Sequence, residues 1–165
     1  MKRLILVRHA KSDWSLPGQE DWDRPLNPRG QRDAPEMARR LRSRRVKPDR
    51  ILSSPAVRAL TTATIMSREL RVAPALLQPV EQLYLAAPAD LLAVARELGG
   101  TARHLMIVAH NPGITEFANR LSAGETIDNM PTCAVFTARF DIAAWNRLDW
   151  GQGQDGEFDY PRKPT

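Results

Sequence analysis

Three short stretches of this chain carry residue types suited to seating and attacking a phosphoryl group. They are Arg8-His9, then Ser53-Ser54-Pro55 with Arg58 close behind, and His110-Asn111-Pro112-Gly113. A guanidinium group binds phosphate oxygens in pairs and keeps its charge at any physiological pH. A neutral imidazole set among such cations is a competent nucleophile toward phosphorus. Neighbouring positive charge lowers its pKa and keeps its lone pair free. A second imidazole, His110, would as an imidazolium stabilise the charge on the equatorial oxygens of the transition state. Helix N-termini expected after Ser54 and Pro112 add backbone donors for an anion. Arg58 then falls in a first helical turn, where a cation opposes the dipole unless an anion is bound.

These residues are far apart in the chain, so the fold must gather them. Lys2 to Val7 is apolar and partly β-branched, as a buried strand should be. Asp49 to Ser53 and the strong apolar run His104 to Ala109 repeat that pattern, and Ala75 to Val80 is a weaker third candidate. Asn27-Pro28 starts a helix whose apolar face is Ala34, Met37, Ala38 and Leu41, with Pro35 expected to kink it or shift its start. Ser54-Pro55 and Ala87-Pro88 start two more helices, and Ile114 to Leu121 forms a short fourth. Cys133 to Phe140 and Trp145 to Trp150 read as a closing hairpin. Lys11 to Pro25 has no period and reads as an ordered surface loop. Such alternation predicts an α/β, three-layer αβα sandwich, with a mainly parallel central sheet and an antiparallel edge. Residues 1–150 form one domain in this reading, and 151–165, rich in Gly, Asp and Pro, a loosely ordered C-terminal tail. In open parallel sheets, ligands bind beyond the carboxyl ends of the strands. Arg8-His9, Ser53-Ser54 and His110 all fall at such ends.

Composition narrows the classes. The chain has 165 residues, 42% hydrophobic and 26% charged, as an ordinary globular domain has. A single cysteine, Cys133, excludes an internal disulfide framework and a cysteine zinc site. The apolar runs are too short for a membrane span or a signal-peptide core, so no membrane partner is expected and the cytoplasm is the default compartment. The net charge is +5, yet Arg24 to Arg50 alone holds ten basic and three acidic residues. With no aromatic side chain among those arginines, a solvated helix face is expected and no specific nucleic-acid partner.

The run Leu6-Val7-Arg8-His9-Ala10-Lys11-Ser12 resembles the Arg-His-Gly nucleophile motif of the histidine phosphatase, or phosphoglycerate mutase-like, superfamily. Arg24-Pro25-Leu26-Asn27-Pro28-Arg29-Gly30, the run from Ser53 to Thr62, and Val108-Ala109-His110-Asn111-Pro112-Gly113 follow in the same order as in that family. The short chain and the Arg-His-Ala variant look like the SixA subgroup of phosphohistidine phosphatases. The resemblance implies His9 as the nucleophile of a covalent phosphohistidine intermediate. It implies a phosphate pocket of Arg8, Arg58 and His110, and no metal or other cofactor. It further implies a general acid at Glu81, in Val80-Glu81-Gln82-Leu83-Tyr84; Asp13, Asp21 and Asp23 of the first loop are alternatives. Lys11, Ser12 and Asn111 could line the pocket rim, and Trp14 and Trp22 could cover the site or anchor the loop. His104 begins a strand away from the rim and reads as structural.

The acid bears on the substrate. An alkoxide leaving group needs a proton as the P–O bond breaks, whereas the P–N bond of a phosphoramidate is labile without one. Together with this chemistry, the resemblance implies a metal-independent phosphatase acting through a covalent phosphohistidine intermediate on protein phosphohistidine. The alternatives are a small-molecule phosphomonoesterase and a weakly catalytic phosphate-recognition module. Expected ligands are a phosphorylated protein or small phosphorylated substrate, and phosphate or other oxyanions.

Overall fold

The computed structural model describes residues 1–124 and 126–163. Among these residues six strands, β1 (Lys2–Arg8), β2 (Arg50–Ser53), β3 (Leu77–Pro79), β4 (His104–Ala109), β5 (Val135–Phe140) and β6 (Gln154–Asp159), form one sheet in the order β3-β2-β4-β1-β5-β6. The first four run parallel; β5 and β6 complete the sheet antiparallel. Among the described residues four helices, α1 (Pro28–Ser43), α2 (Val57–Glu69), α3 (Pro88–Leu98) and α4 (Gly113–Leu121), cover the two faces. This is the expected three-layer α/β arrangement.

The strand pattern explains the layering. Successive side chains of a strand point to opposite faces. Leu4 and Leu6 pack with Leu91, Ile114 and Phe117 of α3 and α4. Ile5 and Val7 pack with Met37 and Leu41 of α1 and Met66 of α2. Both faces are covered, so β1 reads as a continuous apolar run rather than an alternating one.

Local signals hold in part. The Asn27 side chain caps α1, accepting from the Gly30 N–H at 2.9 Å. Pro35 does not interrupt α1, which continues to Ser43 with Met37, Ala38 and Leu41 buried; burial of that face outweighs one missing backbone bond. Helix α2 starts at Val57, later than Ser54-Pro55 suggested, because the Ser54 hydroxyl accepts from the Ala56 N–H at 3.3 Å in a turn before the helix.

The C-terminal segment departs from expectation. Trp145 to Trp150 is not a strand: Trp145–Arg147 is a 3₁₀ turn, and the buried Trp145 indole donates to the Ala102 carbonyl at 2.7 Å. The partner of β5 is β6, inside the stretch read as a loose tail. Its largely exposed side chains give no apolar alternation to read; backbone pairing to β5 makes it a strand. Beyond β6, Arg40 donates to the Tyr160 and Pro161 carbonyls at 3.0 and 2.9 Å, and Arg162 meets Asp33 at 3.1 Å. Pro164 and Thr165 lie outside the described residues.

The arginines of α1 and of its C-cap, Arg44, are largely compensated locally. Arg39 meets Glu36, Arg42 meets Glu69, Arg44 meets Glu157 at 3.0 Å, and Arg40 meets Asp159 at 3.2 Å. Exposed pairs of this kind add little stability, but they reduce the field that an extended polyanion would feel. Among the described residues, no helix is long and apolar enough to cross a membrane.

Candidate active site

Register brings the distant stretches together. In the parallel ladder Arg8 of β1 lies opposite Ala109 of β4, and Ser53 of β2 lies opposite Val108. The residues that follow, His9, His110 and Ser54, therefore leave the sheet at one rim. The pairing continues past the strands, with His9 N–H donating to Ala109 at 3.1 Å and Ser54 N–H to Val108 at 2.9 Å. Arg58 joins them from the first turn of α2.

A cleft of about 250 Å³ opens at this rim, lined by Arg8, His9, Arg58 and His110 and edged by Lys11, Ser12 and Asn111. The His9 and His110 ring centres are 5.2 Å apart, and the Arg58 guanidinium donates to His110 Nδ1 at 3.4 Å. The Arg8 guanidinium is anchored on the Met130 carbonyl at 3.0 Å. A larger cleft of about 710 Å³ lies between the 122–131 segment and β5–β6, with Asp128 and Asp155 but no cation on its described lining. It is unsuited to an anion.

His9 is 7% exposed. Its Nδ1 lies 2.8 Å from the Ala10 carbonyl oxygen, which can only accept. The proton therefore sits on Nδ1, and Nε2 carries the lone pair. Burial pushes the imidazole down to about 3; the Ala10 carbonyl opposes the fall, and His110, Arg58 and Arg8 add to it. The sequence pointed to neighbouring cations as the cause, but desolvation is larger. Ala10 in the nucleophile motif is accommodated, since it is fully buried and its N–H donates to Thr62 Oγ1 at 3.0 Å.

His110 differs from expectation. Because Arg58 can only donate, His110 Nδ1 is the acceptor, and Nε2–H donates to Ser54 Oγ at 2.7 Å. Burial and the Arg58 charge hold its pKa down to about 4, against the opposing pull of Asp21. At neutral pH it is an uncharged ring that fixes Arg58, not the imidazolium expected from sequence.

The expected acid is also displaced. Glu81 is exposed, at the start of the 3₁₀ turn Glu81–Leu83, and does not line the cleft. The residues after that turn reach the site instead: Leu85 lines the cleft, and Tyr84 stands edge-on to His110 at 5.5 Å. Asp13 is taken up by the Ser15 N–H at 2.7 Å, and neither it nor Asp23 lines the cleft. Asp21 does. It is held by Arg58 Nη2 at 2.9 Å, the Tyr84 hydroxyl at 2.6 Å and Arg24 at 3.1 Å. Burial raises its pKa, but those hydrogen bonds and the Arg58 charge prevail and hold the carboxyl down to about 2.

Arg24 and Tyr84 received no role from the sequence alone. Arg24 is buried and donates to Ser12 Oγ at 2.8 Å. The signal available for it was its place at the head of Arg24-Pro25-Leu26-Asn27. Tyr84 left no spacing signal. Trp22 packs on Tyr84 at 4.7 Å, and Trp14 lies over the Arg24 guanidinium at 3.3 Å. Asn111 ties the rim to α4, donating to the Met130 carbonyl at 3.0 Å and accepting from Thr115 at 2.6 Å. Gly30 lets α1 approach the Lys11 backbone, where a Cβ would overlap the Lys11 carbonyl. Cys133 is buried and its thiol pKa is raised by desolvation, so it is inert. Among the described residues, no three His, Cys, Asp or Glu side chains gather as a metal site.

Among the described residues, the cleft is thus lined by four cations, Arg8, Lys11, Arg24 and Arg58, with one carboxylate, Asp21, and two neutral imidazoles. That arrangement is built for a multiply charged anion.

Comparison with known proteins follows the same line. The profile of the histidine phosphatase superfamily (branch 1) matches residues 4–82. An uncharacterized chloroplastic protein of Arabidopsis thaliana is 35% identical over 147 residues, covering 80% of this chain and 63% of that protein. The chain thus spans less than two thirds of that relative's length. An uncharacterized Mycobacterium tuberculosis protein is 36% identical over 112 residues, covering 68% of this chain and 67% of its own. The structure of the protein histidine phosphatase SixA complexed with tungstate superposes with a TM-score of 0.77 at 21% identity, over 96% of this chain and 94% of that one. A SixA-type protein from Agrobacterium tumefaciens superposes with a TM-score of 0.75 at 28% identity, over 84% of this chain and 92% of that one.

Proposed function

This chain belongs to the histidine phosphatase superfamily, and from that premise we propose that it is a phosphatase working through a covalent phosphohistidine on His9, with protein phosphohistidine as its substrate. The observation that carries the reading is a buried, neutral His9 in a cleft lined by four cations.

In this mechanism Arg8 and Arg58 hold the phosphoryl oxygens, and Arg58 is kept in place by His110 and Asp21. The Nε2 lone pair of His9 attacks phosphorus. The Nε2–P bond forms, the bond to the leaving group breaks, and the leaving group departs with the electron pair. Water then attacks the phospho-His9: its oxygen bonds phosphorus, the Nε2–P bond breaks with its electron pair returning to Nε2, and the water's protons leave on the released phosphate. The Nδ1–H bond to Ala10 keeps the ring oriented through both steps. The residues named supply positive charge and a nucleophile without a metal.

The state of Asp21 supports this substrate class. With its pKa held at about 2, it carries no proton to give an alkoxide near neutral pH. A phosphoimidazole already protonated on its other ring nitrogen departs as neutral imidazole and needs none. The cleft, about 250 Å³, suits a phosphorylated side chain presented from outside better than a large enclosed metabolite.

Side-by-side kinetics on a phosphohistidine peptide, a phosphoserine peptide and a sugar phosphate test this reading, with and without a chelator. The highest kcat/KM is expected on phosphohistidine, undiminished by chelation. An acid-labile radiolabelled phosphoryl adduct should form on the wild type and not on His9→Ala, whose turnover should fall by about 10³-fold or more. A label that survives His9→Ala, or faster turnover of the phosphoserine peptide or sugar phosphate, overturns it.

A further inference from the structure

The mouth of the cleft is unlike its floor. The floor is polar and cationic, whereas two large apolar side chains stand at the opening, Trp14 at 73% exposure and Leu85 at 57%. They come from different parts of the chain, the first loop and the turn after Glu81–Leu83. Among the described residues exposed large hydrophobics are few, the others being Met1, Leu16 and Leu76. Two of the five named lining one small polar cleft calls for an occupant.

Neither residue is loosely placed. Trp14 lies over the Arg24 guanidinium at 3.3 Å, and Arg24 is itself fixed by Ser12 and Asp21. The indole is therefore held in position while most of its surface faces water. Leu85 sits in the left-handed region with φ of 51°. That conformation is strained for a residue with a Cβ, and the position after a helical turn is one that Gly or Asn usually fills. The turn is pinned on both sides: Tyr84 bonds Asp21, and the Ala86 carbonyl packs against Gly113. A strained leucine that exposes most of its side chain does little for the fold.

We propose that Trp14 and Leu85 form an apolar clamp for the leaving group, selecting a phosphoryl group carried on a planar ring. The phosphoryl oxygens go to the arginines below, and the ring body lies between indole and isobutyl group as the residue enters. Imidazole and phenyl rings meet this requirement. A sugar or glycerol phosphate would set hydroxyl groups against both apolar surfaces, leaving them without partners. This deepens the phosphatase reading and rests on it for the position of the phosphoryl group.

Non-hydrolysable phosphonates test the clamp without requiring turnover. Calorimetric titration of the wild type should give phenylphosphonate about tenfold tighter than methylphosphonate. In Trp14→Ala and in Leu85→Ala the preference should fall to about twofold, with methylphosphonate affinity unchanged. Leu85→Gly relaxes the backbone, so it should raise Tm and still lose the preference. The clamp is overturned if the wild type does not discriminate, or binds neither compound, or if both truncations keep the preference. It is equally overturned if they weaken both phosphonates alike, which marks a structural role. A wild type that binds phosphonates selectively but turns over no phosphorylated substrate would sink the phosphatase reading and leave the clamp standing.

Discussion

The Asp21 carboxylate sits 2.9 Å from the Arg58 guanidinium, so an internal anion already occupies part of the charge that a phosphoryl group would use. A second bond, from Arg58 Nη1 to the Asp21 backbone carbonyl at 2.7 Å, fixes the guanidinium plane. Asp21 thus orients its arginine and also competes with the ligand for it.

Asp21→Asn separates those effects. The amide removes one negative charge from the cleft while keeping an oxygen for Arg58. Tungstate and inorganic phosphate should bind about three- to tenfold tighter, the range expected for losing one like charge at partly solvated distance. Weaker binding by calorimetry would mean that orientation outweighs repulsion.

Asp21 also links stability to pH. Its folded pKa of about 2 lies below the ordinary 3.8, so its contribution is present above about pH 3.8 and is lost as pH falls through 2. With its side chain 39% exposed, solvent screening keeps that contribution small. The Tm gap between wild type and Asp21→Asn should therefore be modest near neutrality and shrink toward pH 2. A gap that widens on acidification contradicts the assignment.

His9 and His110 make a second pH prediction. Their folded pKa values, about 3 and about 4, lie below the ordinary 6.5. Below pH 6.5 the unfolded chain takes up protons that the folded chain refuses. The stability these rings contribute is full above pH 6.5 and declines toward pH 4 and below. Replacing both with Asn should flatten the fall in Tm over that interval. For the same reason kcat/KM on a substrate that does not itself titrate should show no loss near pH 6.5; an acid limb there would show that His9 protonates in that range.

Glu81→Gln should leave turnover of phosphoramidates and phosphomonoesters within about twofold of wild type, as expected for an exposed surface change. Selective slowing of phosphomonoesters would restore Glu81 as the proton donor.

Gly30→Ala forces a Cβ into the Lys11 carbonyl. Overpacking of this kind costs about 1–3 kcal/mol, and the strain falls on the segment that carries Lys11 and Ser12. Chemical denaturation should register the loss of stability, and tungstate affinity should drop with it. An unchanged midpoint would show that α1 and the rim can separate freely.

Much of the site was legible in the chain itself, for physical reasons. Strands buried on both faces must be apolar throughout, so β1 and β4 announce themselves, and polar residues at their ends mark a ligand rim. Arg8, His9 and His110 could be named that way, Arg58 from the helix start behind Ser53-Ser54-Pro55, and Lys11, Ser12 and Asn111 placed beside them. Edge elements gave less. The strand β6 is exposed and carries no apolar alternation, and Trp145 is buried by tertiary contact rather than by pattern.

Three-dimensional placement decided the rest, because it depends on where separate segments cross. From the sequence Glu81 was the expected acid, with Asp21 one of three alternatives in the first loop. Only the direction of the 81–83 turn left Glu81 in solvent, and only the meeting of the first loop with α2 set Asp21 between two arginines and a tyrosine. Protonation was decided the same way. Sequence supplies an imidazole, but its charge at neutral pH depends on desolvation and on hydrogen-bond partners 52 and 56 residues away for His110. The amino-acid order determined which groups could do the chemistry; packing determined their charge, their tautomer and which of them reach the cleft.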